Sequence, residues 1–168
     1  GVEYGKDSIS AILSQTYEHW ELIIGIYGYP KFGKVYQSIL NIVSSIDETH
    51  RKKITVIDLY PIISRSNALH DIITYYTSPQ SSHIAVLDVH DIWEPNKLTI
   101  QLPYLNHFDV VGTNGTNSYA IKKADALQWK LNIENDGEDD CDDLILHLKN
   151  DGKTFYNIET PLVRIQSK

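Results

Sequence analysis

Apolar residues in this chain switch back and forth between two spacings, and that alternation narrows the fold to one class. Residues 7–17 carry Ile9, Ile12 and Leu13 on one helical face, and Trp20 to Tyr27 then form a nearly continuous apolar run. The first spacing predicts an amphipathic helix, and the second predicts a strand buried on both sides. Gly28, Pro30 and Gly33 break the chain before Val35, Ile39, Ile42, Val43 and Ile46 return to helical spacing over 34–46. A strand is expected at 54–57, a helix at 65–76 and a buried strand at 84–87 that ends at Asp88. Pro95 to Leu102 reads as a helix with proline in its first turn, and Asp91 and Glu94 have the spacing of a capping box. Helices alternating with strands through short links predict an α/β fold with a mainly parallel sheet.

Beyond this point the elements shorten. Phe108 to Gly112 reads as a strand and Thr113 to Ser118 as a polar loop. An acidic run covers 134–143, Asp151-Gly152 marks a turn, and Phe155–Ile158 and Leu162–Ile165 read as two short strands around Pro161. The chain has 168 residues with no internal repeat and no low-complexity linker, so residues 1–168 are read as a single domain. A net charge of -7 argues against a nucleic-acid partner, because phosphate contacts require a basic face. No apolar run approaches the roughly 20 residues that span a bilayer, so no transmembrane segment is expected. Gly1 to Lys6 lack the pattern of a secretory leader, and the single Cys141 cannot form an internal disulfide. Both point to the cytoplasm or another reducing compartment.

The stretch richest in chemistry is Leu87-Asp88-Val89-His90-Asp91-Ile92-Trp93-Glu94-Pro95. A buried strand here delivers Asp88, His90 and Asp91, three side chains that could hold a divalent cation. Carboxylates favour magnesium or manganese, and an imidazole tilts the choice toward manganese. In parallel sheets ligands bind beyond the carboxyl ends of the strands, which is where these residues fall. The competing reading is a strand-end turn whose acids cap the next helix. Trp93 could contact a ligand or pack under that helix, and Trp129 could stack on a sugar or pack in the core. Cys141 stands among Asp139, Asp140, Asp142 and Asp143, which disfavour its thiolate. The acidic run is read as a solvated face rather than as a calcium-binding loop.

These segments also carry a family resemblance. Ser8 to Ile24 resembles the opening helix and second strand of family 2 glycosyltransferases. Leu87 to Leu98, with Gln101 following, is similar to the family stretch L-D-A-D-D-x-W-x-P-x-K-L. Ser64-Arg65-Ser66-Asn67-Ala68-Leu69 resembles the segment between them. Asp143 to Leu148, then Gly152, Phe155–Ile158 and Pro161-Leu162-Val163, resembles the end of the donor-binding domain. The resemblance implies a GT-A-type three-layer α/β sandwich. It implies a nucleotide-sugar donor, Mn2+ or Mg2+ on the diphosphate, and inverting transfer to a glycan, lipid or protein acceptor. Carried over by position, Asp88, Arg65 and Tyr27 would contact the donor, Asp88, His90 and Asp91 the metal, and Asp140 or Asp142 would serve as the base.

The chain departs from the family pattern at functional positions. A family strand of the V-S-V-I-I-P-T-Y-N kind has no counterpart here. A central strand slot is then expected to be empty, or filled by another chain or a second copy. The usual D-D-G-S turn is replaced by Ile26-Tyr27-Gly28-Tyr29, the second metal aspartate by His90, and the base position by Cys141 beside Asp140. Loss of a general base alone costs roughly two to four orders of magnitude in rate. A second expectation is therefore a catalytically silent domain of this type that binds a glycan, a nucleotide or a protein.

Overall fold

The structure, a computed structural model, describes residues 2–114, 118–131 and 143–166. In chain order its elements are α1 (Val2–Leu13), β1 (Leu22–Ile26), α2 (Lys34–Ser44), α3 (Glu48–Arg51), β2 (Ile54–Asp58) and α4 (Arg65–Asp71). A π-helical turn, Ile72–Tyr76, follows, and then β3 (His83–Ala85), β4 (Asp91–Trp93) and α5 (Lys97–Gln101). A 3-10 turn, Leu102–Asn106, leads to β5 (Val110–Thr113), β6 (Ala120–Lys122), α6 (Lys123–Ala126), α7 (Asp143–Asn150), β7 (Phe155–Ile158) and β8 (Val163–Ile165). The elements fall into two compact units. One contains Gly1–Glu21, His83–Lys122 and Thr154–Lys168, and the other Leu22–Ser82 and Lys123–Lys153.

In the second unit β1 and β2 run parallel, with Leu22 opposite Ile54 and Ile26 opposite Asp58. The connection runs through α2, whose Ile39 and Val43 bury against Ile26. Fully burying an aliphatic side chain of this size stabilises by about 1.5–3 kcal/mol, so this face holds the pair together. The other face is set by Gly25. A Cβ there would lie 2.6 Å from Ile72 Cδ1 and 2.7 Å from Leu59 Cδ1, so glycine is what lets the π-helical turn approach the strand. Ser64 caps α4 by accepting from the backbone N–H of Asn67 at 3.1 Å, and Asp47 caps α3 in the same way through His50. The end of α7 is closed by the expected turn. Gly152 takes φ +74°, its N–H bonds Lys149 O, and Lys153 N–H reaches back to Leu148 O. That is a Schellman closure, which favours glycine at this position.

The first unit holds a four-stranded sheet in the order β3-β6-β5-β7 and a separate β4–β8 pair. The expectation of a mainly parallel sheet is corrected here. β5 and β7 are parallel, but β3–β6, β5–β6 and β4–β8 are antiparallel. The reason is local, since β6 follows β5 after a loop too short for a crossover and must return beside it. Leu105, Val111, Ala120, Ile158 and Leu162 form the core of this unit.

The first helix ends at Leu13, short of the expected 17. Gln15 replaces its last turn with side-chain bonds: Nε2 donates to Ala11 O and Glu94 O, and Oε1 accepts from Leu98 N–H. The capping box is not formed. α5 begins at Lys97, its N-cap Asn96 makes no side-chain cap bond, and Glu94 pairs with Arg164 at 2.7 Å. Among the described residues no helix is long and apolar enough to cross a membrane.

Candidate functional site

The turn from Asp88 to Asp91 comes after β3, with Val86 and Leu87 between them. Asp88 Oδ1 accepts from His90 N–H at 3.0 Å, and Asp91 N–H bonds Asp88 O at 3.0 Å. The short aspartate side chain folds the backbone back on itself, as Asx turns do. Two further bonds fix the turn in its unit. Ser8 of α1 donates to Val89 O at 2.6 Å, and Gln166 N–H, just past β8, donates to His90 O at 2.9 Å. Asp88 and His90 are half-buried.

Asp91 points elsewhere. Its carboxylate is buried and accepts the Ser118 hydroxyl. Burial raises its pKa and the neighbouring Asp88 raises it further, while Ser118, Lys97 and His90 oppose the shift. Behind it lies Lys97, with no exposed surface. Its ammonium donates to Gln101 Oε1 and sits 3.8 Å above the Trp93 ring. Burial pushes its pKa down to about 7, against the pull of Asp91. Gln101 Nε2 donates to Val111 O, and Trp93 Nε1 donates to the Ser118 hydroxyl. Asp91, Lys97, Gln101, Ser118 and Trp93 thus form one buried polar cluster beneath the turn. Such groups are retained inside only when their hydrogen bonds are made. Trp93 is packed inside, which answers the choice between packing and ligand contact for that residue.

Asp88, His90 and Asp91 are therefore neighbours in chain and unit, but Asp91 is turned into the interior. Among the described residues no group of three or more His, Cys, Asp or Glu side chains is arranged to hold a metal ion. Tyr27, just after β1, and Arg65, at the start of α4, belong to the other unit. Asp140 and Asp142, with Cys141, lie outside the described residues. Trp129 is 3% exposed and meets the His70 ring edge-on at 5.3 Å, so it is not a surface platform.

Sequence reasoning passed over a groove of about 370 Å³ between residues 28–30 and 60–63, beyond the carboxyl ends of β1 and β2. Tyr29 and Tyr60 flank it, and each is more than half exposed. Asp58, the last residue of β2, ties its two sides by accepting from the backbone N–H groups of Phe32 and Tyr60. These bonds hold its carboxyl below the usual aspartate range. Gly28 N–H adds a bond to Ile62 O at 2.9 Å. The available signal was an acid directly after an apolar run, Ile54 to Ile57, the same pattern that drew attention to Asp88.

Comparison with known proteins fits these observations at a coarse level. No protein-family model matches the chain. Among curated proteins it is similar to the bifunctional glycosyltransferase pgtA of Dictyostelium discoideum, 32% identical over 113 residues. That match takes in 64% of this chain and 13% of the relative, so the chain spans a small part of that protein's length. Among solved structures it resembles 4-diphosphocytidyl-2C-methyl-D-erythritol synthase from Anaerococcus prevotii DSM 20548, with a TM-score of 0.62 and 14% identity. That likeness covers 99% of this chain and 80% of the other, and at such identity it shows the fold alone. The chain is a distant homologue of a glycosyltransferase with an α/β fold of this kind.

Proposed function

We propose that the chain is a GT-A-type glycosyltransferase domain of family 2 that takes a nucleotide sugar and passes the sugar, with inversion, to a glycan, lipid or protein acceptor. The observation that carries the reading is the Asp88 turn. One carboxylate oxygen is spent on fixing the backbone, and the other makes no hydrogen bond among the described residues. A hard oxygen held on a rigid turn suits a cation that also takes ligands from substrate phosphates, since magnesium is commonly bound by one or two carboxylates plus phosphate. Asp88 with His90 would hold Mn2+ or Mg2+, and the ion would offset diphosphate charge. Taken by itself, the other unit has a groove flanked by Tyr29 and Tyr60 whose flat rings would suit a base or sugar. Asp140 or Asp142 would take the acceptor proton.

A second reading is a catalytically silent domain that binds a nucleotide, glycan or protein. It is favoured by one finding, the interior commitment of Asp91, which leaves two candidate ligands instead of three. One experiment separates the two. Uridine, guanosine, cytidine and thymidine diphosphates and their sugars are titrated with and without manganese, followed by a transfer assay with any donor that binds. Metal-dependent binding with transfer that vanishes in Asp88→Ala supports the enzyme. Binding without transfer supports the silent domain, and no binding of any nucleotide removes both nucleotide readings.

A further inference from the structure

We infer that Ser8 of α1 is a positioning residue for the Asp88 carboxylate, acting through the peptide that joins Val89 to His90. Its use in a reaction rests on the reading of Asp88 as a cation ligand, whereas the orientation itself does not. The Ser8 hydroxyl donates to Val89 O at 2.6 Å. The N–H of the same peptide, that of His90, donates to Asp88 Oδ1 at 3.0 Å. A trans peptide is planar, so its C=O and N–H point in opposite directions. Ser8 therefore sets the tilt of this plane, and the tilt aims the N–H that holds Asp88 Oδ1. The second carboxylate oxygen is rigidly joined to the first, so its direction follows.

The next peptide is anchored separately. His90 O accepts from Gln166 N–H at 2.9 Å, and Asp91 N–H donates to Asp88 O at 3.0 Å. Each plane of the turn thus has one outside anchor and one bond to Asp88. The anchor from α1 leads to the Asp88 side chain, and the anchor past β8 leads only to its main chain. Ser8 is on that account the residue that governs the carboxylate.

The place of Ser8 in α1 supports this division. It lies on the buried face with Ile9 and Ile12 and is 3% exposed. A buried hydroxyl is costly unless bonded, and a helical serine can meet that need by donating to the carbonyl four residues back. Ser14 does so, to Ser10 O at 3.0 Å. Ser8 instead donates to a carbonyl 81 residues along the chain. Gln15, seven positions on and on the same face, already ties the helix to Glu94 O and Leu98 N–H beyond β4. Docking of α1 is supplied by Gln15 and the apolar face, and the bond from Ser8 acts on the turn.

The test uses the whole chain labelled with 15N and 13C. Scalar couplings from the backbone to Cγ of Asp88 report its χ1 rotamer without any ligand. One rotamer should account for them in the parent. Ser8→Ala should average them and speed exchange of the His90 amide at least about five-fold, while the Asp91 amide keeps its rate. Ser8→Thr retains the hydroxyl and should restore both, as should Ser8→Cys in part if threonine does not fit. Ile12→Val removes a buried methyl from the same helix; it should lower the melting temperature and leave the Asp88 couplings unchanged. Mn2+ alone is then titrated and followed by broadening of the amide signals of the turn. Ser8→Ala should need at least about ten-fold more manganese than the parent, the usual cost of losing a group that orients a metal ligand. Two results would overturn the inference: Asp88 couplings unchanged in Ser8→Ala, which would make Ser8 a docking residue only, or couplings averaged to the same extent in Ile12→Val. If manganese broadens nothing in the turn of the parent, the cation reading of Asp88 fails, and the couplings still decide whether Ser8 orients the carboxylate.

Discussion

The ammonium of Lys97 lies 3.8 Å above the ring of Trp93, and both side chains are buried. A buried charge is tolerated only when it is paired and bonded, and Lys97 has Gln101 and the field of Asp91. Lys97→Met keeps most of the volume and removes the charge, so it should stay within about 2 kcal/mol of the parent in urea unfolding. Lys97→Ala leaves a cavity under Trp93 and should cost about 2–5 kcal/mol.

The same lysine gives a pH dependence whose sign is fixed. Its pKa falls from 10.5 to about 7 on folding, chiefly through burial. Between those values the unfolded chain binds the proton and the folded chain does not, so stability rises as pH increases through that window. Below it both states carry the charge, and the penalty of burying it is present in full. The difference in urea midpoint between the parent and Lys97→Met should therefore shift in the parent's favour from about pH 7 upward. A difference that is flat across the window would remove the idea that Lys97 loses its proton on folding.

How much of this was readable beforehand depended on whether the signal was local. The long alternating segments showed themselves as helix or strand because burial repeats every two or three to four residues along them. Thus β1, α2, β2, α4 and β7 fall close to their expected places. The three-residue strands β4 and β6 did not show. Asp91-Ile92-Trp93 looked like a ligand or capping segment, and Ala120-Ile121-Lys122 was too short for any period. Because β6 was missed, its antiparallel pairing with β3 and β5 was missed too, and with it the mixed sheet. At the candidate site, the Asp88 turn was legible from its place after a strand. The inward turn of Asp91 was not, because its partner Ser118 lies 27 residues away.

Gly25 tests the packing of the second unit. An added Cβ would meet Ile72 and Leu59 at 2.6 and 2.7 Å, closer than carbon atoms pack. Gly25→Ala should then destabilise by about 1–3 kcal/mol, as overpacked substitutions do. Gly25→Ala combined with Ile72→Val should recover part of the loss, because Ile72 Cδ1 is the nearest atom. Independent, additive losses in a double-mutant cycle would show that the crowding is not where the geometry places it.

Asp58 governs the groove. Asp58→Asn keeps an acceptor but loses the charge that strengthens the bonds from Phe32 and Tyr60. Because the folded carboxyl sits below its ordinary 3.8, its contribution is present above that value and fades as pH falls through the folded pKa. The melting temperature of Asp58→Asn should be lower than the parent's at neutral pH, with the gap closing in acid. Proteolysis should cut the variant faster within 28–33 or 60–63, and unchanged cutting there would show that the loops hold without this carboxylate.

Asp88 and Asp91 should separate cleanly, although they are three residues apart in one turn. In Asp88→Asn the amide oxygen can still accept from His90 N–H, so melting without ligand should barely change. Asp91→Asn puts an amide where Ser118 donates inside the protein, and leaves Lys97 without its carboxylate. It should lower the melting temperature with or without ligand, by an amount equivalent to about 1–3 kcal/mol. With a nucleotide diphosphate and manganese, a ligand at about 100 times its dissociation constant stabilises the parent by about 2.7 kcal/mol. Asp88→Asn should weaken the metal-dependent part of that binding at least about ten-fold, which removes roughly 1.4 kcal/mol of the shift. Asp91→Asn should leave the ligand-induced increment close to the parent's while starting from a lower baseline. If the two variants exchange these behaviours, Asp91 is the residue that faces the phosphate and Asp88 the one that holds the turn.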